Sequence, residues 1–143
     1  MPIKIIDHNT TDYDKMIALR MQILRAPLGL TFDTTELEKE KDDLLIAAFE
    51  EDDILGCCLL TKVAPNTVKL RQMAVSNKLQ GKGIGRQMMQ FAENLARDFG
   101  NNTIEMHARL HAVGFYEKQG YQKVGDQFEE VTVPHYKMEK KLR

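Results

Sequence analysis

Residues 70–86, Leu-Arg-Gln-Met-Ala-Val-Ser-Asn-Lys-Leu-Gln-Gly-Lys-Gly-Ile-Gly-Arg, contain the pattern that decides the fold. Their first part continues an apolar strand predicted at residues 68–75, and a polar turn and a helix follow it. Three glycines alternate where the helix begins: Gly81, Gly83 and Gly85. Glycine permits positive φ and lets a ligand approach the backbone, and the N–H groups of a helix start attract anions. With Lys82 and Arg86 beside them, these glycines predict a site for a phosphate-bearing cofactor.

Four interpretations of the glycine-rich turn were compared. A Walker loop requires Ser or Thr after Gly-Lys to hold magnesium, and this chain has Gly83 there. The dinucleotide fingerprint requires a third small residue where Arg86 stands, although Glu105 lies at the distance of its ribose-binding acid. A third pattern, Gln/Arg-x-x-Gly-x-Gly/Ala after a strand, fits residues 80–85 at every position. The fourth interpretation is a left-handed turn and helix cap without a ligand.

The third pattern resembles the pyrophosphate-binding segment of the GNAT N-acetyltransferases. A second segment supports the resemblance: Ala112, Tyr116 and Gly120-Tyr121 are similar to that family's Ala-x-x-x-Tyr-x-x-x-Gly-Phe. Arg109 stands where the family often has Asn, seven residues before the tyrosine. The ending resembles the Glu-x-x-x-x-Pro-His-x-x-Met of some small bacterial members.

This resemblance implies an α/β (α+β) fold with a mixed, mostly antiparallel sheet of about six to seven strands and helices on both faces. Strands 4 and 5 would be parallel and would splay apart to admit acetyl-coenzyme A. The backbone of Met73, Ala74 and Val75 would bind its pantetheine arm as an added strand would. The resemblance assigns the pyrophosphate to the following residues: Gln80, Gly81, Lys82, Gly83, Ile84, Gly85 and Arg86.

The resemblance also implies that Tyr116 protonates the departing thiolate. A phenol remains protonated at neutral pH and can donate to a less basic thiolate; the alternative is a packed aromatic beside Phe115. The attacking amine must lose a proton, and Glu105, His107 and His135 are candidate bases. We favour His135, because histidine titrates near neutral pH and Pro134 fixes its approach. A hydrogen-bonded strand histidine is the alternative for that residue.

The remaining pattern predicts one domain over residues 1–143. Strands are expected at residues 3–6, 44–50, 54–63, 68–75, 103–107, 121–124 and 132–139. Helices are expected from residues 10–12 to near Pro27, at residues 34–41, from the glycine turn to Gly100, and at residues 112–119. The third helix should bury one face: Ile84, Met88, Phe91, Ala92, Leu95, Ala96 and Phe99. Arg20 and Arg25 are expected mainly as solvated surface charges.

Composition and charge restrict the classes of function that the chain can have. The chain has 143 residues, 20 basic and 21 acidic, and a net charge of −1, which argues against nucleic-acid or membrane-surface binding. We expect no membrane span and no metal site, and the adjacent Cys57 and Cys58 predict reduced core thiols in a cytoplasmic protein. The sequence therefore predicts an acetyl-coenzyme A-dependent N-acetyltransferase for a small-molecule or peptide amine, with a possible homodimer. The alternatives are a non-catalytic acyl-coenzyme A-binding module or regulator and a nucleotide-binding regulator.

Overall fold

A computed structural model describes residues 1–142, which form one seven-stranded sheet. The strands are β1 (Ile3–Ile6), β2 (Leu44–Glu50), β3 (Asp53–Ala64), β4 (Thr67–Val75), β5 (Thr103–Arg109), β6 (Gln122–Glu130) and β7 (Val133–Lys141). Their order across the sheet is β1-β2-β3-β4-β5-β7-β6. Every neighbouring pair is antiparallel except β4 and β5, which are parallel. The mixed, mostly antiparallel sheet predicted from the sequence is confirmed.

Four α-helices cover the sheet: α1 (Thr11–Arg20), α2 (Thr34–Glu38), α3 (Ile84–Asp98) and α4 (Val113–Lys118). Thr10 caps α1 by accepting a hydrogen bond from the backbone N–H of Tyr13. The α-helical geometry of α1 ends at Arg20, and a π-helical turn, Met21–Arg25, and a 3₁₀ turn, Ala26–Leu28, continue the chain. The predicted single helix to Pro27 is therefore correct in extent but not in geometry.

The sheet has a hydrophobic core on each face. Residues from α3 and α4, including Met88 and Tyr116, pack with one face of β2–β5 and with Met138 of β7. Residues of α1, including Met16 and Leu19, pack on the opposite face of β2 and β3. Because side chains alternate along a strand, the adjacent Cys57 and Cys58 enter different cores. Both are buried and free, as predicted for reduced core thiols.

A β-bulge in β4 limits the parallel contact between β4 and β5. The register of β3 against β4 shifts between Leu59 and Cys57, and Gln72 in that interval has a φ of +56°. The parallel pairs run from Thr67↔Thr103 only as far as Leu70↔Met106. Beyond this point β4 remains paired with β3, and β5 with β7. The two strands therefore separate, as the resemblance implied.

A buried ion pair holds the chain segment between α1 and β2. The Arg20 guanidinium donates to both Glu40 oxygens at 2.7 and 2.8 Å, and the Tyr13 hydroxyl donates to Glu40 at 2.7 Å. Arg20 and Glu40 are fully buried, so losing one partner would leave an uncompensated charge in the interior. The expectation that Arg20 is solvated is wrong: its charge is neutralised by a residue twenty positions away, and local spacing does not reveal that partner.

Three other expectations differ from the structure. Phe99 is 58% exposed: α3 ends at Asp98, so Phe99 lies just past the helix and is not part of its buried face. Arg25 is largely covered by its contacts with Glu36 and Phe32. The sixth strand extends to Glu130 rather than ending at Val124, because a register shift between Val124 and Phe128 lets pairing with β7 resume. Within residues 1–142, no helix is long and apolar enough to cross a membrane.

The bulge at Gln72 predicts opposite results for two substitutions. Gln72→Val should lower the free energy of unfolding by about 1–3 kcal/mol, since a β-branched residue is strained at positive φ. Gln72→Gly should cost much less, because glycine adopts this φ without strain. Thermal unfolding of both variants measures the difference. Equal stability of the two would contradict the bulge geometry.

Candidate functional site

A cleft of about 700 Å³ occupies the gap where β4 and β5 separate. Its walls include Met73, Ala74 and Val75 of β4 and Ala108 and Arg109 of β5. The turn before α3 and the aromatic residues of α4 reach the cleft from one face of the sheet, and the π-helical turn after α1 reaches it from the other. The cleft therefore passes through the sheet and connects its two faces.

The glycine turn presents open backbone to this cleft. Gly81 and Gly83 both have a φ of +81°, and a Cβ added at either would meet no atom within 4 Å. Gly83 is the N-cap of α3, and no side chain caps the first N–H groups of that helix. These donors, with the positive helix end, fit a phosphate group. The arrangement thus fits the diphosphate of a coenzyme A.

The structure brings most of the predicted cofactor-binding residues to the cleft. Its lining includes Met73, Ala74, Val75, Gln80, Gly81, Gly83, Ile84, Gly85 and Arg86. Lys82 lies in the same turn and is exposed, but it is not part of the lining. The Gln80 side chain donates to the Val75 carbonyl at 3.1 Å and so ties the turn to the end of β4. A Cβ at Gly85 would lie 3.2 Å from the Phe115 ring, so this glycine permits α3 to begin against α4.

Tyr116 lies on α4 at the wall of the cleft, in the core shared with α3. Burial raises the pKa of its phenol above the ordinary value. The group therefore remains protonated at neutral pH and can act only as a proton donor there. Phe115 and Tyr121 pack against its ring edge to face, which fixes the ring's orientation.

His107 and Glu130 form a hydrogen-bonded pair on the opposite side of the cleft from the glycine turn. His107 Nδ1 lies 2.8 Å from Glu130 Oε1 and 3.4 Å from Lys69 Nζ. Because an ionised carboxylate can only accept, the proton shared with Glu130 sits on Nδ1, and Nε2 is the basic nitrogen whenever the ring is neutral. Partial burial would raise the pKa of Glu130. The hydrogen bond from His107, together with the electrostatic attraction of His107, His135 and Lys69, outweighs burial and lowers this pKa. Glu130 is thus an ionised carboxylate that orients an imidazole, as the third group of a triad does.

His135 lies behind this pair rather than on the cleft wall. It is 3% exposed, its Nδ1 donates to the Val133 carbonyl at 2.9 Å, and its Nε2 is 3.8 Å from Glu130 Oε2. The ring stacks on Phe128. His107, by contrast, is part of the cleft lining, whereas Glu105 and His135 are not.

A strained turn places Glu130. The β6–β7 connection contains Val131 and Thr132 with φ values of +44° and +69°, which a β-branched residue rarely adopts. Sequence reasoning missed Glu130 because it ended the sixth strand at Val124. The sequence signal was the Phe-Glu-Glu run immediately before the final strand, because a hairpin through Val131 and Thr132 pairs Phe128 with His135 and Glu130 with Val133.

No group of three or more His, Cys, Asp or Glu side chains within residues 1–142 is arranged to hold a metal ion.

The separated parallel strands and the glycine turn define the class of protein. Residues 32–142 match the family described as the acetyltransferase (GNAT) domain, and the chain therefore belongs to the GNAT acetyltransferases.

Among relatives, the uncharacterized N-acetyltransferase YvbK of Bacillus subtilis (strain 168) is 34% identical over 77 residues. That match covers 52% of this chain and 50% of the relative, so it spans about half the length of that protein.

Two crystal structures show the same fold. An aminoglycoside 6'-N-acetyltransferase complexed with coenzyme A has a TM-score of 0.84 at 19% identity, covering 100% of this chain and 98% of the other. An acyl-CoA N-acyltransferase from Pseudomonas aeruginosa has a TM-score of 0.82 at 19% identity, covering 96% and 97%.

The open backbone of the glycine turn predicts a specific sensitivity to a methyl group. Gly83→Ala should weaken coenzyme A binding about 10-fold or more, because alanine is strained at a φ of +81° and its Cβ enters the space left for the ligand. Gly114→Ala is the matched control, since its Cβ meets nothing within 4 Å and no positive φ is required. Isothermal titration with coenzyme A tests both. Equal affinities for the two variants would place the diphosphate elsewhere.

Proposed function

We propose that this protein transfers an acetyl group from acetyl-coenzyme A to a primary amine of a small molecule or peptide. Donor and acceptor would occupy the cleft together, with direct attack of the amine on the thioester. The observation that carries the proposal is the cleft itself. It joins an anion-binding turn and a buried phenol on one face of the sheet to a carboxylate-oriented imidazole on the other.

Coenzyme A is supported as the donor by the fit of the glycine turn and by the coenzyme A present in the aminoglycoside acetyltransferase neighbour. The backbone of Met73, Ala74 and Val75 would bind the pantetheine amides. The turn from Gln80 to Arg86 would bind the pyrophosphate. When bound, the donor supplies an activated acetyl group, and a shared site lowers the barrier by orienting the two reactants.

Tyr116 would donate a proton to the departing thiolate. Its raised pKa keeps the proton on the phenol until a basic sulfur forms nearby. An ammonium group must lose its proton before attack, since an alkyl amine has a pKa near 10 and is almost fully charged at neutral pH.

The sequence favours His135 as the base, whereas the geometry of the cleft supports His107, another of the candidates that the sequence offers. His107 is part of the cleft lining and contacts Glu130 through Nδ1, which leaves Nε2 free of that contact, whereas His135 is outside the lining and its Nε2 lies 3.8 Å from Glu130. We propose that His107 accepts the proton. His135 would then support the Glu130 carboxylate from behind and would not touch the acceptor.

Turnover tests the proposal directly. Purified protein is incubated with acetyl-coenzyme A and a broad amine panel, and the free thiol of coenzyme A is measured. Acceptor-dependent thiol release supports acetyl transfer. Tight binding of coenzyme A with no release across the panel would favour the alternative, a non-catalytic acyl-coenzyme A-binding module.

The proton donor is tested by removing one oxygen atom. Tyr116→Phe should lower kcat about 10-fold or more and leave coenzyme A affinity within about twofold, since only the acid is lost. Tyr136→Phe is the control, because Tyr136 lies on β7 outside the cleft lining. Unchanged kcat in Tyr116→Phe would assign Tyr116 to packing alone.

The base is tested by comparing three histidines. His107→Gln should lower kcat at pH 7 by about 100-fold or more, with activity recovering as pH rises and the free amine becomes more abundant. His135→Gln should have a smaller effect, and His8→Gln, remote from the cleft, should have none. A larger loss in His135→Gln than in His107→Gln would reverse the assignment.

We also propose that the protein acts in the cytoplasm. The free, buried thiols of Cys57 and Cys58 support a reducing compartment. A homodimer stays a prediction from the sequence.

A further inference from the structure

The acceptor side of the cleft carries more positive charge than its carboxylates neutralise. Arg25, Arg71 and Arg109 line the cleft together with His107, against a single lining carboxylate, Glu130. Glu130 is already engaged by His107 at 2.8 Å. Unpaired guanidinium groups in a partly desolvated cleft are unfavourable unless an anion joins them.

Strand alternation places these arginines away from the diphosphate turn. Met106 and Ala108 of β5 enter the core shared with α3, so His107 and Arg109 point to the opposite face. Arg25 reaches the same face from the π-helical turn after α1. The phosphates of the donor belong on the α3 face and do not account for this charge.

Most N–H groups of Arg109 are left to bind a ligand. Its Nη2 donates to the Leu24 carbonyl at 2.7 Å, which uses one of its five N–H groups. Within residues 1–142 no carboxylate lies within 4 Å of the Arg109 guanidinium. Burial and the adjacent charge of Arg25 lower its pKa, and Glu130 offsets this only in part. The surroundings of Arg109 thus disfavour its positive charge, although the protein places a guanidinium group there.

The guanidinium group of Arg25 is less available to a ligand than that of Arg109. Arg25 is 12% exposed, stacks on the Phe32 ring at 4.0 Å, donates to the Thr31 carbonyl at 2.8 Å and forms an ion pair with both Glu36 oxygens at 3.4 Å. The charge of Arg71 lowers the pKa of Asp43, whose net shift is upward because burial dominates. Within residues 1–142 no carboxylate lies within 4 Å of Arg71, so Arg71 adds positive potential around Arg109, whereas the charge of Arg25 is partly offset by Glu36.

We propose that the acceptor is a small amino acid, with its carboxylate bound by Arg109 in the field of Arg25 and Arg71 and its amine directed towards Glu130 and His107. This assignment rests on the proposed acetyl transfer and names its substrate class. The two ends of a zwitterion match the two signs of charge on this wall. The cleft of about 700 Å³, which also holds the donor's thioester end, suits a small acceptor.

Matched probes isolate the carboxylate. The panel contains the twenty amino acids and 6-aminohexanoate, each paired with its carboxamide. Binding to protein saturated with coenzyme A is measured by calorimetry, and turnover with acetyl-coenzyme A is measured by thiol release. At least one acid should exceed its amide by about 10-fold or more in Kd or KM, because a site built for a charged group rejects the analogue that lacks it.

Variants link that preference to the arginine. Arg109→Gln should bring acid and amide within about threefold of each other without changing coenzyme A affinity, and Arg109→Lys should keep part of the preference. Arg71→Gln, which breaks no hydrogen bond to Leu24, should lower the preference less and serves if Arg109→Gln fails to fold. Lys41→Gln removes an exposed cation elsewhere and should change nothing.

Each outcome decides at least one proposal. Equal use of acids and amides, binding of neither, or an unchanged preference in both Arg109→Gln and Arg71→Gln would overturn the amino-acid assignment. Rapid acetylation of the amides would overturn the amino-acid assignment but would still support the proposed acetyl transfer. Arg109-dependent binding of an acid without thiol release would support the carboxylate site at Arg109 but overturn both the role of the acid as acceptor and the proposed acetyl transfer.

Discussion

The length of the parallel contact between β4 and β5 is the constraint on which the rest of the structure depends. Four register pairs join the strands, ending at Leu70↔Met106, and the bulge at Gln72 then turns β4 away. Had the pairing continued to Val75, the backbone of Met73 to Val75 would be occupied by β5. Because it stops there, the four pairs keep the sheet continuous, while the rest of β4 stays paired with β3 and the rest of β5 with β7, which leaves an opening between them.

The opening separates two kinds of chemistry because a sheet has two faces. On the face covered by α3 and α4, glycine backbone, a helix start and a phenol with raised pKa suit an anionic donor with a leaving thiolate. On the other face, Glu130 and His107 lie close to Arg109 and Arg25. The buried pair of Arg20 and Glu40 fixes the wall on that side by tying α1 to the segment before β2. The chain between α1 and β2 therefore contributes both to the stability of the fold and to the shape of the cleft wall.

The glycine turn and the strands beside the cleft were predictable from the sequence because their signals are local. Residues 80–85 specify the turn by glycine spacing, and apolar runs predict the strands, whereas the seven-stranded mixed sheet with parallel strands 4 and 5 was implied by the family resemblance. The acceptor half was not, since it depends on partners distant in sequence. Arg20 was assigned to the surface because Glu40 is twenty residues away, and Glu130 was missed because a bulge interrupts β6. Likewise, the fixed approach of His135 was recognised, but its position behind Glu130 follows only from the β6–β7 register.

Amide hydrogen exchange with and without coenzyme A tests the central claim most directly. If the separated strands form the donor site, coenzyme A should slow exchange in peptides that contain Met73 to Val75 and in the turn from Gln80 to Gly85. Exchange in β1 and β2, far from the opening, should stay the same. Protection confined to other segments, with coenzyme A shown to be bound, would contradict the account.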